Sequence, residues 1–409
     1  MIVILIQYLH EIFGFKIWPV FFYLSTRMIM AAITTLCMTV FLGPFFIFVL
    51  KKLNLRQTIR ENKKYFDRLS KLHSKKKDTP TMGGLFILFS MIFALFLWMD
   101  LNSVFTWILL LAAMFLGGVG FVDDYLKLKY KNSKGLIAKL KFSLQSVFAI
   151  AVCSYLICPC ISGFVQKKMS FSPPAAKEQR IKKIDGKPLT LINTLNTENY
   201  ISRIYVPFIK KPIIVSSEIG KIFLFLFLAF VIVGSSNAVN LTDGLDGLAC
   251  GLLIMVSFVL AIFAFLSNHI EMSKYLNILY IEGSGEIAVF LFALCGAALG
   301  FLWYNGYPAQ VFLGDIGSLS LGGIIAISAV LLRREILLAL IGAVFVAEAM
   351  SVILQVLSYR FRRKKRIFLC SPLHHHFEYK GWSESKVVLR FWIIGLLFAI
   401  IGISSLKFQ

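Results

Sequence analysis

Long apolar runs dominate the chain, and polar residues gather in blocks between them. About 20 consecutive apolar residues are what a helix needs to cross a bilayer. Ten such runs are read, near residues 19–50, 82–99, 104–122, 141–159, 221–239, 247–267, 286–304, 317–332, 336–358 and 388–406. The eighth and ninth are separated only by Arg333, Arg334 and Glu335. Between the fourth and fifth, at 161–220, the pattern changes: Pro173, Pro174, Pro188, Pro207 and Pro212 punctuate short β-like pieces such as Leu189 to Ile192 and Ile201 to Val206. The pattern predicts an all-α polytopic membrane protein of ten transmembrane helices. It reads as a single integral membrane domain over 1–409, with an extracytoplasmic insert at 161–220 expected to form a small hairpin on the outer face. The N-terminal stretch lacks a basic leader and a small-residue cleavage site, so it is expected to remain in the mature protein.

Composition narrows the class. At 58% hydrophobic and 16% charged over 409 residues, a soluble enzyme, a disordered chain and a soluble nucleic-acid binder are all excluded. Yet Lys and Arg number 43 against 21 Asp and Glu, and these charges must lie outside the hydrocarbon. The loops at 51–81, 123–141 and 359–390 hold 11, 6 and 9 basic residues, 26 in all, and fall on one side of a ten-span layout. The other side holds Lys16, Lys274, Arg333, Arg334 and Lys407 outside the insert. The 11 basic residues of 160–221 weigh little, because long translocated loops obey the positive-inside rule weakly. The termini are therefore expected outside and the three basic loops in the cytoplasm. The seven cysteines sit mostly in apolar runs, and Cys158-Pro159-Cys160 has the wrong spacing for a zinc knuckle.

With the sides assigned, the acids become informative, since a carboxylate at the end of a membrane span is costly without a task or a partner. Asp123 and Asp124 close the third span, Asp243 and Asp246 follow the fifth, and Asp315 follows the seventh. All five are expected at the cytoplasmic interface, in one cleft. One Asp per loop is what a helix cap or a turn explains. A side-by-side pair, a second pair three residues apart and an Asp flanked by Gly314 and Gly317 exceed that. Clustered carboxylates with glycine-lined access suit a hard divalent cation, usually Mg²⁺, shared with substrate phosphates.

The same face supplies positive groups. His374-His375-His376 cannot easily converge on one tetrahedral metal but can donate to a diphosphate. Lys75-Lys76-Lys77 precedes a turn and the small residues that open a helix, a shape that approaches an anion. The run Arg360 to Arg366 reads as an anchor on anionic headgroups of the lipid bilayer. Glu348, inside the ninth span, is expected to face the bundle and bond a polar partner.

Thr79-Pro-Thr-Met-Gly-Gly84, Asp123-Asp-Tyr125, Asn237 to Gly247, Phe312-Leu-Gly-Asp-Ile-Gly-Ser318 and Pro372-Leu-His-His-His-Phe377 resemble the signature stretches of the phospho-N-acetylmuramoyl-pentapeptide transferase (MraY) family. That family belongs to the polyprenyl-phosphate N-acetylhexosamine-1-phosphate transferases. The resemblance spans nearly the whole chain apart from the insert. It implies ten helices in a bacterial inner membrane and a cytoplasmic cleft where Mg²⁺ assists transfer of phospho-MurNAc-pentapeptide from UDP-MurNAc-pentapeptide to undecaprenyl phosphate. The products are lipid I and UMP, and a homodimer is compatible with it. Among catalytic positions, Asp315 matches the Mg²⁺ ligand, Asp123 the carboxylate that deprotonates the lipid phosphate, and Asp124 a further essential acid. Asp246, also an essential acid, falls with Gly244, Leu245 and Phe312 near the uracil; Asn240, Asp243 and Thr81 fall near the ribose. Lys127 and Lys139 match basic positions of the third-span loop. His374, assigned to catalysis, and His375 match diphosphate-facing positions, and His376 joins them in binding substrate. In the first loop Lys76 is favoured over its neighbours Lys75 and Lys77.

Direct attack by the lipid phosphate is preferred over an Asp nucleophile, because a phosphate monoester is already ionised near neutral pH and asks little of a base. The alternatives are an N-acetylglucosamine-1-phosphate transferase and, from another class, a transporter or flippase, whose sites usually lie at the bilayer midplane.

Overall fold

The computed structural model describes residues 12, 19–53, 55, 79–130, 135–169, 174–184, 187–195, 197–362 and 364–408. In chain order the helices are α1 (Leu24–Lys52), α2 (Gly84–Trp98), α3 (Val104–Lys129), α4 (Ala138–Ile157), α5 (Pro159–Met169), α6 (Thr197–Ile201), α7 (Glu218–Thr242) and α8 (Leu248–Ser267). They continue with α9 (Ile270–Tyr275), α10 (Gly285–Asn305), α11 (Gly314–Leu331), α12 (Glu335–Ile341), α13 (Ala343–Phe361), α14 (Leu373–Tyr379) and α15 (Glu384–Ser404). Among the described residues nine helices are long and apolar enough to cross a membrane, and α2 is a shorter apolar helix of 15 residues. The chain is thus an all-α, multi-pass membrane protein.

Position in the bundle follows from side-chain size and polarity. Every residue of α11 from Ile316 to Leu331 is buried, as expected of a helix apolar on all sides. It packs on α3 and α7, while α10 packs on α1 and α8. Small residues permit these close approaches. A side chain on Gly84 would run into the backbone of Gly317, and a methyl on Gly120 would lie 2.6 Å from both the Asp315 carbonyl carbon and the Ile316 Cα. The start of α11 is therefore wedged between α2 and α3. By contrast α1, α7, α13 and α15 present large apolar side chains outward, among them Phe41, Phe45, Phe230, Val356 and Leu397.

Two spans depart from the expected pattern. The second is short because residues 79–83 are not helical but pair with 309–313: Phe312 N–H donates to the Pro80 carbonyl at 2.9 Å, and Gly83 and Gly84 donate to Phe312 and Leu313, each at 2.8 Å. The expected ninth span is two helices, α12 and α13, which meet at Gly342.

At the opposite end of the bundle, β1 (Ala176–Ile184) and β2 (Lys187–Leu195) form an antiparallel hairpin extended by β5 (Tyr280–Ile281), and β3 (Arg203–Ile204) pairs with β4 (Ile213–Ile214). The piece expected at Leu189 to Ile192 lies in β2; of Ile201 to Val206 only β3 is strand. The region is tied to the bundle. Tyr200 Oη donates to the Leu331 carbonyl, Arg333 Nε donates to the Arg203 carbonyl at 2.9 Å, and Arg334 lies over the Tyr205 and Phe263 rings.

Overpacking a tight contact costs about 1–3 kcal/mol, so Gly120→Ala is expected to lower the thermal stability of the purified protein. Gly118→Ala, whose methyl would meet nothing within 4 Å, should leave it unchanged. Equal unfolding temperatures for the two variants would contradict the wedged placement of α11.

Candidate functional site

Helix α3 runs on past its apolar segment to Lys129, which places Asp123 and Asp124 on its last turns and Lys127 one turn later on the same face. The N-terminus of α11 delivers Asp315 to that face. Gly314 turns the chain there with φ +74°, a conformation glycine adopts without strain, and its Cα faces Asp124 and Thr81. Asp124 Oδ2 accepts the Ile316 N–H at 3.2 Å, satisfying one of the free donors of α11's first turn. Asp123 Oδ1 accepts the Leu136 N–H at 2.8 Å. Asp123, Asp124 and Asp315 each offer a carboxylate oxygen, and these oxygens lie within 4.8 Å of one another.

At that spacing two carboxylates repel by roughly 3 kcal/mol in an effective dielectric of about 20, so the cluster needs counter-charge. Lys127 Nζ lies 2.6 Å from Asp123, 2.8 Å from Asp315 and 3.6 Å from Asp124. Lys141 Nζ, from the first turn of α4, lies 2.5 Å from Asp315 and 3.7 Å from Asp123. Two ammonium groups thus face three carboxylates. Three convergent, mostly buried carboxylates are a donor set suited to a hard divalent cation.

Around this centre α7 contributes Asn240, whose Nδ2 donates to Asp315 Oδ1 at 2.9 Å and to Ser318 Oγ at 2.8 Å. Asp243 follows the end of α7. Burial, together with Asp315, Asp124 and Asp246, pushes its carboxyl up to about 8, against the opposing effect of a bond from the Gly314 N–H. Asp246 instead braces the loop between α7 and α8: its Oδ2 accepts the Ala309 N–H at 3.0 Å, and its own N–H donates to Glu384 at 2.9 Å. Asn305 Oδ1 accepts the Gly247 N–H at 3.1 Å. Thr81 and Leu245 are buried, Phe312 is partly exposed and Gly244 is open to solvent.

The three histidines, on α14, have different partners, although the His374 and His375 rings meet edge to face with centroids 4.2 Å apart. His374 is buried with its Nε2 against Gly244, so that a methyl there would overlap the ring. His375 Nδ1 lies 2.7 Å from Glu378, and His376 Nδ1 accepts the Leu369 N–H at 3.1 Å. His374 reaches the loop of residues 243–247. Glu348 faces inward, as expected, and accepts the His374 N–H at 3.1 Å.

The expected residues divide accordingly. Asp123, Asp124, Asp315, Lys127, Asn240 and Asp243 come together. Lys139 does not join them: it is exposed on α4, and Lys141 occupies the place expected for it, because residues two apart on a helix point to different faces. Lys76, with Lys75 and Lys77, lies outside the described residues. Glu384 and Asn305, which brace the 243–247 loop, carry no local sequence signal; each meets that loop from a distant part of the chain.

Comparison with known proteins agrees with this arrangement. Residues 106–333 match the glycosyl transferase family 4 profile, and residues 76–88 match the phospho-N-acetylmuramoyl-pentapeptide-transferase signature 1. The chain is 56% identical to a phospho-N-acetylmuramoyl-pentapeptide-transferase of Protochlamydia amoebophila over 100% of both chains. Proteins of the same name from Thermodesulfovibrio yellowstonii and Brachyspira hyodysenteriae are each 43% identical, over 95% and 97% of both chains respectively. Sharing more than half its residues with one such protein along its entire length, and carrying the signature stretch, the chain belongs to the phospho-N-acetylmuramoyl-pentapeptide-transferase family.

Proposed function

We propose that the protein transfers phospho-MurNAc-pentapeptide from UDP-MurNAc-pentapeptide to undecaprenyl phosphate, forming lipid I and releasing UMP, at the cytoplasmic face of a bacterial inner membrane. The observation that carries this reading is the Asp123, Asp124 and Asp315 cluster with Lys127 and Lys141, in a chain whose full-length relatives bear that enzyme's name. The ten-span layout with termini outside belongs to the same proposal, since it puts the cluster on the side where nucleotide sugars are made.

The donor set fits Mg²⁺, which would be held by Asp315 with Asp123 and Asp124 beside it and would supply neutralisation of the diphosphate charge. The remaining work falls to the chain's own groups. Two anions must approach within bonding distance, and Lys127 and Lys141 offset their repulsion while holding the in-line geometry. Asn240 keeps Asp315 oriented through its bond to Oδ1. Asp123 takes up whatever proton the lipid phosphate still carries. Asp243, Gly244, Leu245, Asp246, Thr81 and Phe312 form the nucleotide-facing wall, with His374 behind Gly244. Direct attack by the lipid phosphate is favoured over an enzyme-bound phosphosugar because a phosphate monoester is already ionised near neutral pH and asks little of a base.

Purified full-length protein given both substrates should release UMP only with Mg²⁺, and Asp315→Asn should lower the rate by about 100-fold or more, the scale of losing a group that stabilises transition-state charge. UMP release indifferent to Mg²⁺, or equally fast from UDP-N-acetylglucosamine, would contradict the proposal. Lys141→Ala should cost about 10–100-fold, while exposed Lys139→Ala should stay within about twofold of the native rate, as surface changes do. The reverse order would overturn the assignment of Lys141 to the site.

A further inference from the structure

Glu348 lies in the second turn of α13, a helix whose Val346, Met350, Ile353, Leu354 and Leu357 are exposed apolar residues. An acid in such a segment is costly unless its oxygens are used, and Glu348 is 0% exposed. Both oxygens face one residue: Oε1 accepts the His374 N–H at 3.1 Å, while Oε2 lies 3.2 Å from His374 Nδ1, the two atoms close but not aligned as a hydrogen bond and neither with another partner among the described residues. His374 is itself 1% exposed, and its Nε2 has no hydrogen-bond partner among the described residues. That nitrogen is pressed against Gly244, next to Asp243, and Asp243 accepts the N–H of Gly314, the neighbour of Asp315. Direct contacts therefore run from Glu348 through His374 to the loop at 243–247 and on to the carboxylate cluster.

We propose that Glu348 is a positioning residue for the transfer reaction, acting through His374. One carboxylate oxygen holds the backbone and the other faces Nδ1, which fixes the rotation of the ring and keeps a proton on the Nδ1 side. Nε2 is thereby presented to Gly244 and to the phosphate groups that the loop faces. The absence of a side chain at 244 is what lets the ring come so close. This inference rests on the transfer reading given above.

Glu348→Gln separates positioning from packing. The amide keeps the volume of the carboxylate but has a single acceptor oxygen, which can serve the His374 backbone N–H or the ring N–H, not both. Steady-state UMP release by the full-length protein should show kcat lowered by about 10–100-fold, the scale of losing an orienting partner, with KM for UDP-MurNAc-pentapeptide within about threefold and the unfolding temperature close to native. His374→Ala should lose at least as much, and the double variant should be no slower than His374→Ala alone, because residues acting through one another are not additive. If Glu348→Gln fails to fold, Gly244→Ala presses on the same ring from the other side. It should lower kcat in the native background and cost nothing further in the His374→Ala background. Unchanged kcat in Glu348→Gln or Gly244→Ala, or a double variant whose losses multiply, would overturn the inference while leaving the transfer reading intact. Native protein that releases no UMP would overturn both.

Discussion

Three carboxylates gathered at one end of a membrane bundle repel one another, and much of the local structure follows from offsetting that repulsion. Asp123, Asp124 and Asp315 stay together because Lys127 and Lys141 stand between them and because backbone N–H groups of Leu136 and Ile316 take up their remaining oxygens. Counter-charge alone would not suffice. The cluster also requires that α11 begin where α3 ends, and that contact depends on Gly84 and Gly120, which leave room for the turn at Gly314. A dense apolar core around α11 then makes the arrangement rigid, so the charged groups are held before any substrate arrives.

The supporting shell is drawn from parts of the chain that are distant in sequence. Glu384 of α15 and Asn305 of α10 brace the 243–247 loop, residues 79–83 give up helical structure to pair with 309–313, and Glu348 of α13 seats His374 beneath Gly244. Each is a polar group used at a membrane interface where an unused one would be expensive. The apolar helices thus serve less as a chemical environment than as a frame that brings five short polar segments to one place.

How much of this was legible in the sequence varies with the kind of signal. The spans were legible because hydrocarbon thickness dictates a run length, and the acids because a carboxylate at the end of such a run is conspicuous, as at Asp123 and Asp315. Glu348 was legible as inward-facing for the same reason. The break at Gly342 was not, since apolarity continues through it and only backbone geometry distinguishes two helices from one. Nor was the choice of Lys141 over Lys139, which turns on helical phase at the start of α4, where both lysines are equally placed in sequence. The different partners of His374, His375 and His376 lie more than twenty residues away for the first and nearby for the others. The short α2 reflects a long-range backbone pairing that no local pattern records.

The claim on which the account turns is that Asp123, Asp124 and Asp315 form one cation site that Lys127 and Lys141 otherwise neutralise. A crystal structure of the protein with Mn²⁺ in place of Mg²⁺ tests it most directly, because manganese is located by its own anomalous scattering. The account predicts a single strong anomalous peak bonded to Asp315 and adjoining Asp123 and Asp124, with Lys127 Nζ moved away from the carboxylates. A peak elsewhere in the chain, or no peak with Lys127 still seated among the three acids at saturating Mn²⁺, would contradict it.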